Sequence, residues 1–151
     1  MVSAMRVSLL WSSPYPERTI AAAMRRCYST KTIEEIETEL EQKGEDYWKY
    51  LLTKALQDKS LDVFEHFTLT LLVEEAGDTE VGSLVRDFPY LRATRVKDAD
   101  WFVSMNARTL VELWRGRTGR GFAELVVAEL ASKSVCPVFS KVAFGGGTHS
   151  G

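Results

Sequence analysis

Asn106, Arg108 and Arg117 are the residues of this 151-residue chain whose types and spacing best suit chemistry with an anion. Asn106 precedes a run with Leu110, Leu113 and Trp114 at helical spacing, so it reads as a helix N-cap with Arg108 in the first turn. A helix start with free backbone N–H groups beside a guanidinium fork can hold a phosphate. Arg108 has Glu112 four residues on to neutralise it. Arg117 has only Leu113 and Gly121 at that spacing and should be the freer cation. The bland alternative stands beside this: Asn106 as a plain cap, and two solvated arginines. Around the set, residues 86–120 hold 8 basic against 4 acidic side chains, whereas residues 32–80 hold 14 acidic against 4 basic. The adjacent pair Glu65-His66 is read as a hydrogen-bonded core feature rather than an acid or base. Cys27 and Cys136 lie far apart with no Cys-x-x-Cys pair and only His66 and His149 to assist, so no metal site is expected and both are read as buried thiols.

These residues need elements to position them. Val7, Leu9 and Trp11 alternate in a first strand that ends at Ser12-Ser13-Pro14. A helix to about Cys27 follows, with Ile20, Ala23, Met24 and Cys27 as its buried stripe. Thr32 and Glu35 have capping-box spacing and open an acidic surface helix that Gly44 stops in a left-handed conformation. The next helix, to Gln57, carries Trp48, Leu51, Leu52 and Leu56 on its core face. A central strand is expected from Phe64 to Val73, followed by a turn from Glu74 to Val81. Residues 82–99 show no clear period and read as a long connection. Trp101, Val103 and Met105 form a third strand, then come the helix capped by Asn106 and a last helix from about Thr118 to Ser134. Strands and helices do not alternate regularly, so the fold class is α+β with a small mixed or antiparallel sheet. One domain over residues 1–144 and a flexible glycine-rich tail over 145–151 are expected.

Composition narrows the classes. With 45% hydrophobic and 26% charged residues and a net charge of -2, the chain is that of an ordinary globular protein. No uncharged run approaches the ~20 apolar residues of a membrane span. Charged residues interrupt the first thirty positions, no leader is recognisable, and a cytoplasmic location is expected. An isoelectric point near 5.8 and the absence of interleaved basic and aromatic residues make nucleic acid an unfavoured partner. Four Trp and seven Phe are a large aromatic load for a small core and favour a homo-oligomer.

Three segments together resemble the flavin-dependent thymidylate synthases, which methylate dUMP to dTMP with methylenetetrahydrofolate, NADPH and FAD. They are Arg6-Val7-Ser8-Leu9-Leu10 leading through Pro16-Glu17-Arg18 to Ala21-Ala22-Ala23-Met24-Arg25-Arg26-Cys27-Tyr28-Ser29; Val63-Phe64-Glu65-His66-Phe67-Thr68-Leu69-Thr70; and Met105-Asn106-Ala107-Arg108-Thr109-Leu110 followed by Arg117. The resemblance implies the same α+β core, FAD as cofactor, sites built between subunits, Asn106 and Arg108 as flavin contacts, and Arg117 as a contact to the substrate nucleotide. The family's Arg-His-Arg motif, which grips and orients the substrate, has no counterpart. Leu84-Val85-Arg86 matches the approach to it, but Asp87-Phe88-Pro89 follows. Lys59-Ser60-Leu61-Asp62 also replaces the family's Gly-His-x-Ser/Thr. The expectation is a thymidylate synthase-like protein that keeps binding of a phosphorylated nucleotide, has no assignable catalytic residue and does not turn over alone. The alternative is a non-enzymatic oligomeric scaffold, or a partner subunit of a full-length relative.

Overall fold

In the computed structural model, which describes residues 4–27, 29–58 and 60–145, the chain runs through four strands and seven α-helices. The order is β1 (Arg6–Ser12), α1 (Pro16–Cys27), α2 (Ile33–Lys43), α3 (Glu45–Gln57), a 3₁₀ turn (Leu61–His66), β2 (Thr68–Glu74), α4 (Asp78–Asp87), β3 (Arg92–Lys97), β4 (Asp100–Asn106), α5 (Ala107–Arg115), α6 (Arg120–Ser132), α7 (Pro137–Ser140) and a π-helical turn (Lys141–Gly145). This is the α+β class expected, with an antiparallel sheet in the order β1-β2-β4-β3.

Local chemistry sets most boundaries. Thr32 accepts from the Glu35 N–H at 3.2 Å and Glu35 accepts from the Thr32 N–H at 2.9 Å, the capping box read from the sequence. Gly44 separates α2 from α3 at φ 71 and ψ -163, a mirror-extended conformation rather than the left-handed helical one expected. The alternation of β2 is clean: Phe67, Leu69, Leu71 and Val73 are buried, and Val103 and Met105 of β4 face the same helices.

Several expectations need correction. Phe64 to His66 lie in the 3₁₀ turn, so β2 starts at Thr68; the apolar residues Val63 and Phe64 are buried from a turn rather than a strand. Residues 82–99 are not a connection: they hold most of α4 and all of β3. Helix α4 buries only Val81 and Leu84, and β3 is an edge strand with Ala93 alone half-buried, so neither displays a hydrophobic period. On α1 the buried stripe is Ile20, Ala21 and Met24; Ala23 is half-buried and Cys27 exposed. His66 is exposed as well, not a core residue.

The chain after α6 packs on the core. Phe139 packs on Phe64 and Phe67 with ring centroids 5.4 and 5.8 Å apart, and Phe144 lies 5.0 Å from Trp114. The buried Glu17 carboxylate of α1 accepts from the Phe139 N–H and pins this segment to the core. Of the residues expected to be flexible, Gly145 closes the π-helical turn and 146–151 lie outside the described residues. At the free edge of β1 the Leu9 N–H donates to Glu129 of α6 at 2.6 Å, which satisfies a backbone group the sheet leaves unpaired. The opposite face of the sheet carries no helix among the described residues. Leu10, Trp11 and Phe102 are 52%, 54% and 44% exposed there.

Candidate functional site

A groove of 350 Å³ with mixed polar and apolar lining opens on that uncovered face, where β2 begins and β4 ends. Cross-strand register builds it: Thr68 stands opposite Asn106, Thr70 opposite Ser104, and Arg92 of β3 on the far side of Ser104. Pro89 and Tyr90, between α4 and β3, form the remaining wall. The Thr70 and Ser104 hydroxyls bond each other at 3.0 Å, and Asn106 accepts from the Thr109 N–H at 2.9 Å as the cap of α5. Its side-chain N–H groups are thereby left for the groove. The Arg92 side chain is exposed and, among the described residues, has no ion-pair or hydrogen-bond partner. Hydroxyls, an amide, a phenol ring and one uncompensated guanidinium suit a small ligand with a phosphate and a flat ring.

Arg108 sits just past the groove under different constraints. Its Nη1 lies 2.6 Å from Glu65 Oε2, and its Nε lies 3.8 Å from Glu112 Oε2. The hydrogen bond that Arg108 donates to Glu65 leads in raising its pKa, with the charges of Glu65, Glu112 and Asp62 adding to it. An incoming phosphate would meet a cation already held by carboxylates. Among the described residues Arg117 has no ion-pair or hydrogen-bond partner, as its spacing implied, yet α5 ends at Arg115 and Arg117 lies in the following loop. Nine residues of helix separate the two ends of α5 by roughly 13 Å at ~1.5 Å per residue. Thr118, next to Arg117, lines a second cavity of 440 Å³ with Met5, Leu84, Gly119, Phe122 and Leu125, and Arg117 lines neither that cavity nor the groove.

The structure thus joins Asn106 to Arg92 and Tyr90, which sequence reasoning missed. The signal was weak, since both fall in the stretch without hydrophobic period. Arg86, at the place where the family's motif would begin, is exposed and bonded to Asp87 at 3.3 Å and Ser83 at 3.4 Å. Burial pushes the Cys136 thiol up to about 12, so it is no nucleophile at neutral pH. Among the described residues no group of three or more His, Cys, Asp or Glu is placed to hold a metal ion, and no helix is long and apolar enough to cross a membrane.

No curated protein matches the chain. The family model for the thymidylate synthase complementing protein matches residues 8–86, which run from within β1 almost to the end of α4 and include the second of the three segments singled out above and the first from Ser8 onward. The match stops at Arg86, where Asp87-Phe88-Pro89 replace the expected motif, and leaves the Asn106–Arg117 segment outside. Since it takes in more than half of the residues, together with the strand, helix and strand order that the sequence motifs require, the chain belongs to the thymidylate synthase complementing protein family.

Proposed function

We propose that this chain is a thymidylate synthase-like nucleotide-binding protein of the cytoplasm that holds a mononucleotide and does not methylate dUMP by itself. The observation that carries the reading is the unpaired Arg92 in a groove whose other walls are Asn106, Thr68, Thr70, Ser104 and Tyr90. The guanidinium would take the phosphate, the amide and hydroxyls the base or sugar edges, and Tyr90 the ring face. A volume of 350 Å³ is at the lower end of ligand sites and suits one nucleotide. It does not suit the whole of FAD. Arg108, the expected flavin contact, fits that cofactor poorly as well, because a flavin phosphate would have to displace Glu65. Arg117 is proposed as a phosphate contact at its own end of α5, separate from the groove.

Catalysis is left out for a positional reason. Methyl transfer needs the pyrimidine held at near-attack distance, and Asp87-Phe88-Pro89, directly after Arg86, supply no guanidinium group to hold it. The alternative, a non-enzymatic partner of a full-length relative, draws on the same gap. Calorimetry with dUMP, FMN and FAD tests the reading. Binding of dUMP or FMN in the micromolar to low millimolar range is expected, weakened about tenfold by Arg92→Ala and less by Arg117→Ala. No binding of any nucleotide at millimolar concentration would overturn it, and so would dUMP-dependent dTMP formation by homogeneous protein supplied with FAD, NADPH and methylenetetrahydrofolate.

A further inference from the structure

We infer that the free edge of β3 receives an extended, acidic segment of another protein as an added strand of the sheet. The inference does not rest on nucleotide binding. An edge strand turns the N–H and C=O of every second residue outward, and those groups need a partner or water. The two edges of this sheet meet that need differently. On β1, helix α6 packs against the strand and Glu129 accepts from the Leu9 N–H at 2.6 Å. On β3, Arg92, Thr94, Arg95, Val96 and Lys97 are all exposed and β4 is the one strand alongside. Among the described residues no side chain reaches the outward backbone groups of β3. Strand addition draws its affinity from such main-chain groups and its specificity from alternate side chains.

Charge selects the occupant. From Phe88 to Lys97 the chain holds three cations, Arg92, Arg95 and Lys97, and no carboxylate. Arg95 is committed, since it lies over the Trp101 ring at 4.3 Å and pairs with Asp78. Arg92 and Lys97 have no ion-pair partner among the described residues. The register break between Arg95 and Lys97 returns Lys97 to the face that carries Arg92 and Thr94: Lys97, Thr94 and Arg92 stand opposite Asp100, Phe102 and Ser104 of β4. A regular strand on the outer side covers the same distance, ~13 Å, with acidic side chains at positions i and i+4 and its middle residue beside Thr94. Opposite charges on facing residues are favourable and like charges are not. Two β3 edges paired antiparallel would set Arg92 against Lys97 of a second copy, so the cations that favour an acidic strand also keep copies of this chain apart. Nor does this chain have an acidic strand to lend, because residues 32–80 are taken up by helices, the 3₁₀ turn and β2, which already pairs on both sides. Added beyond β3, the segment leaves Thr68, Thr70, Ser104 and Asn106 open, and Arg92 alone belongs to both the groove and the edge.

Fluorescence anisotropy of a labelled synthetic peptide, Ser-Glu-Thr-Val-Thr-Glu-Thr, titrated with the full chain at low ionic strength and without nucleotide, tests this. Binding at micromolar concentrations is expected, weakened about fivefold or more by Lys97→Glu. Changing the peptide's central Thr-Val to Pro-Pro keeps both carboxylates but removes a main-chain N–H from each of its edges, and should weaken binding as much. Arg6→Glu, the same charge change on the β1 edge, should leave binding unchanged. The Lys97→Glu chain should recover binding to one of the two peptides in which a single glutamate becomes lysine, and which one recovers gives the direction of the added strand. Circular dichroism confirms that each variant is folded. No binding at millimolar peptide would overturn the inference, as would undiminished binding of the Pro-Pro peptide, equal weakening by Lys97→Glu and Arg6→Glu, or recovery with neither exchanged peptide. A single-stranded oligothymidylate that binds more tightly and displaces the peptide would assign the edge to nucleic acid and overturn it too.

Discussion

Glu65→Gln should increase the affinity of the chain for phosphorylated ligands by freeing Arg108. The pair is short, 2.6 Å between Nη1 and Oε2, but both side chains are more than a third exposed, at 38% and 39%, so its worth is that of a surface ion pair, about 0.5–1 kcal/mol. A phosphate binding at Arg108 must now break that pair. Removing the carboxylate charge while keeping the side chain's shape removes this cost, and about 0.5–1 kcal/mol converts to roughly two- to fivefold tighter binding. Glu112, 3.8 Å from Arg108 Nε, is a weaker competitor, and Glu112→Gln should give less than a twofold gain. Calorimetric titration with FMN at low ionic strength measures both, since screening by salt would shrink each effect. The double variant Glu65→Gln/Arg108→Gln supplies the control. The reasoning fails if Glu65→Gln binds FMN no tighter than wild type, or if the gain survives in the double variant.

Four further outcomes concern stability. Glu17→Ala strands the Phe139 N–H in the core and should cost about 2–4 kcal/mol in urea unfolding, with Glu17→Gln, which keeps an acceptor, costing about half as much. Hydrogen bonds from Arg25 at 2.7 Å and Lys31 at 2.8 Å lower the Glu39 carboxyl from 4.5 to about 2, so its stabilisation is present above the ordinary carboxylate range and is lost as pH falls toward 2; Glu39→Gln should lessen the drop in stability between pH 6 and pH 3 by about 1–2 kcal/mol, allowing for the exposure of Lys31. Burial raises the Glu17 carboxyl, which works in the opposite sense: its ionisation costs stability as pH climbs from the unfolded value through the raised folded one, so Glu17→Gln should remove a small loss on that side. Gly119→Ala should destabilise the fold by about 2–3 kcal/mol on thermal unfolding, because the residue sits at φ 83 and a Cβ there would come within 2.4 Å of Leu113 Cδ2.

The sequence by itself determined what short-range chemistry can encode. The capping box at Thr32 and Glu35, the break at Gly44, the alternation of Phe67, Leu69, Leu71 and Val73, and Asn106 as cap of α5 are each decided by neighbours within a few residues, and each is present. The resemblance of the first two segments likewise lies in contiguous residues, and the family match covers the second and the first from Ser8 onward. Tertiary structure decided the rest, because it depends on which side chains meet across long separations. Helix α4 and strand β3 bury too few apolar groups to show a period; the place of β3 comes from pairing with β4, and α4 contacts β3. Arg92 enters the groove only because β3 pairs with β4 beyond Ser104, and Arg108 is neutralised only because the 3₁₀ turn brings Glu65 to it across 43 positions. Arg117 and Arg108 are nine positions apart, yet α5 ends at Arg115, so Arg117 lies outside the helix that carries Arg108. Spacing along a chain gives direction only while one helix or strand continues; past its end, the fold alone determines where a side chain points.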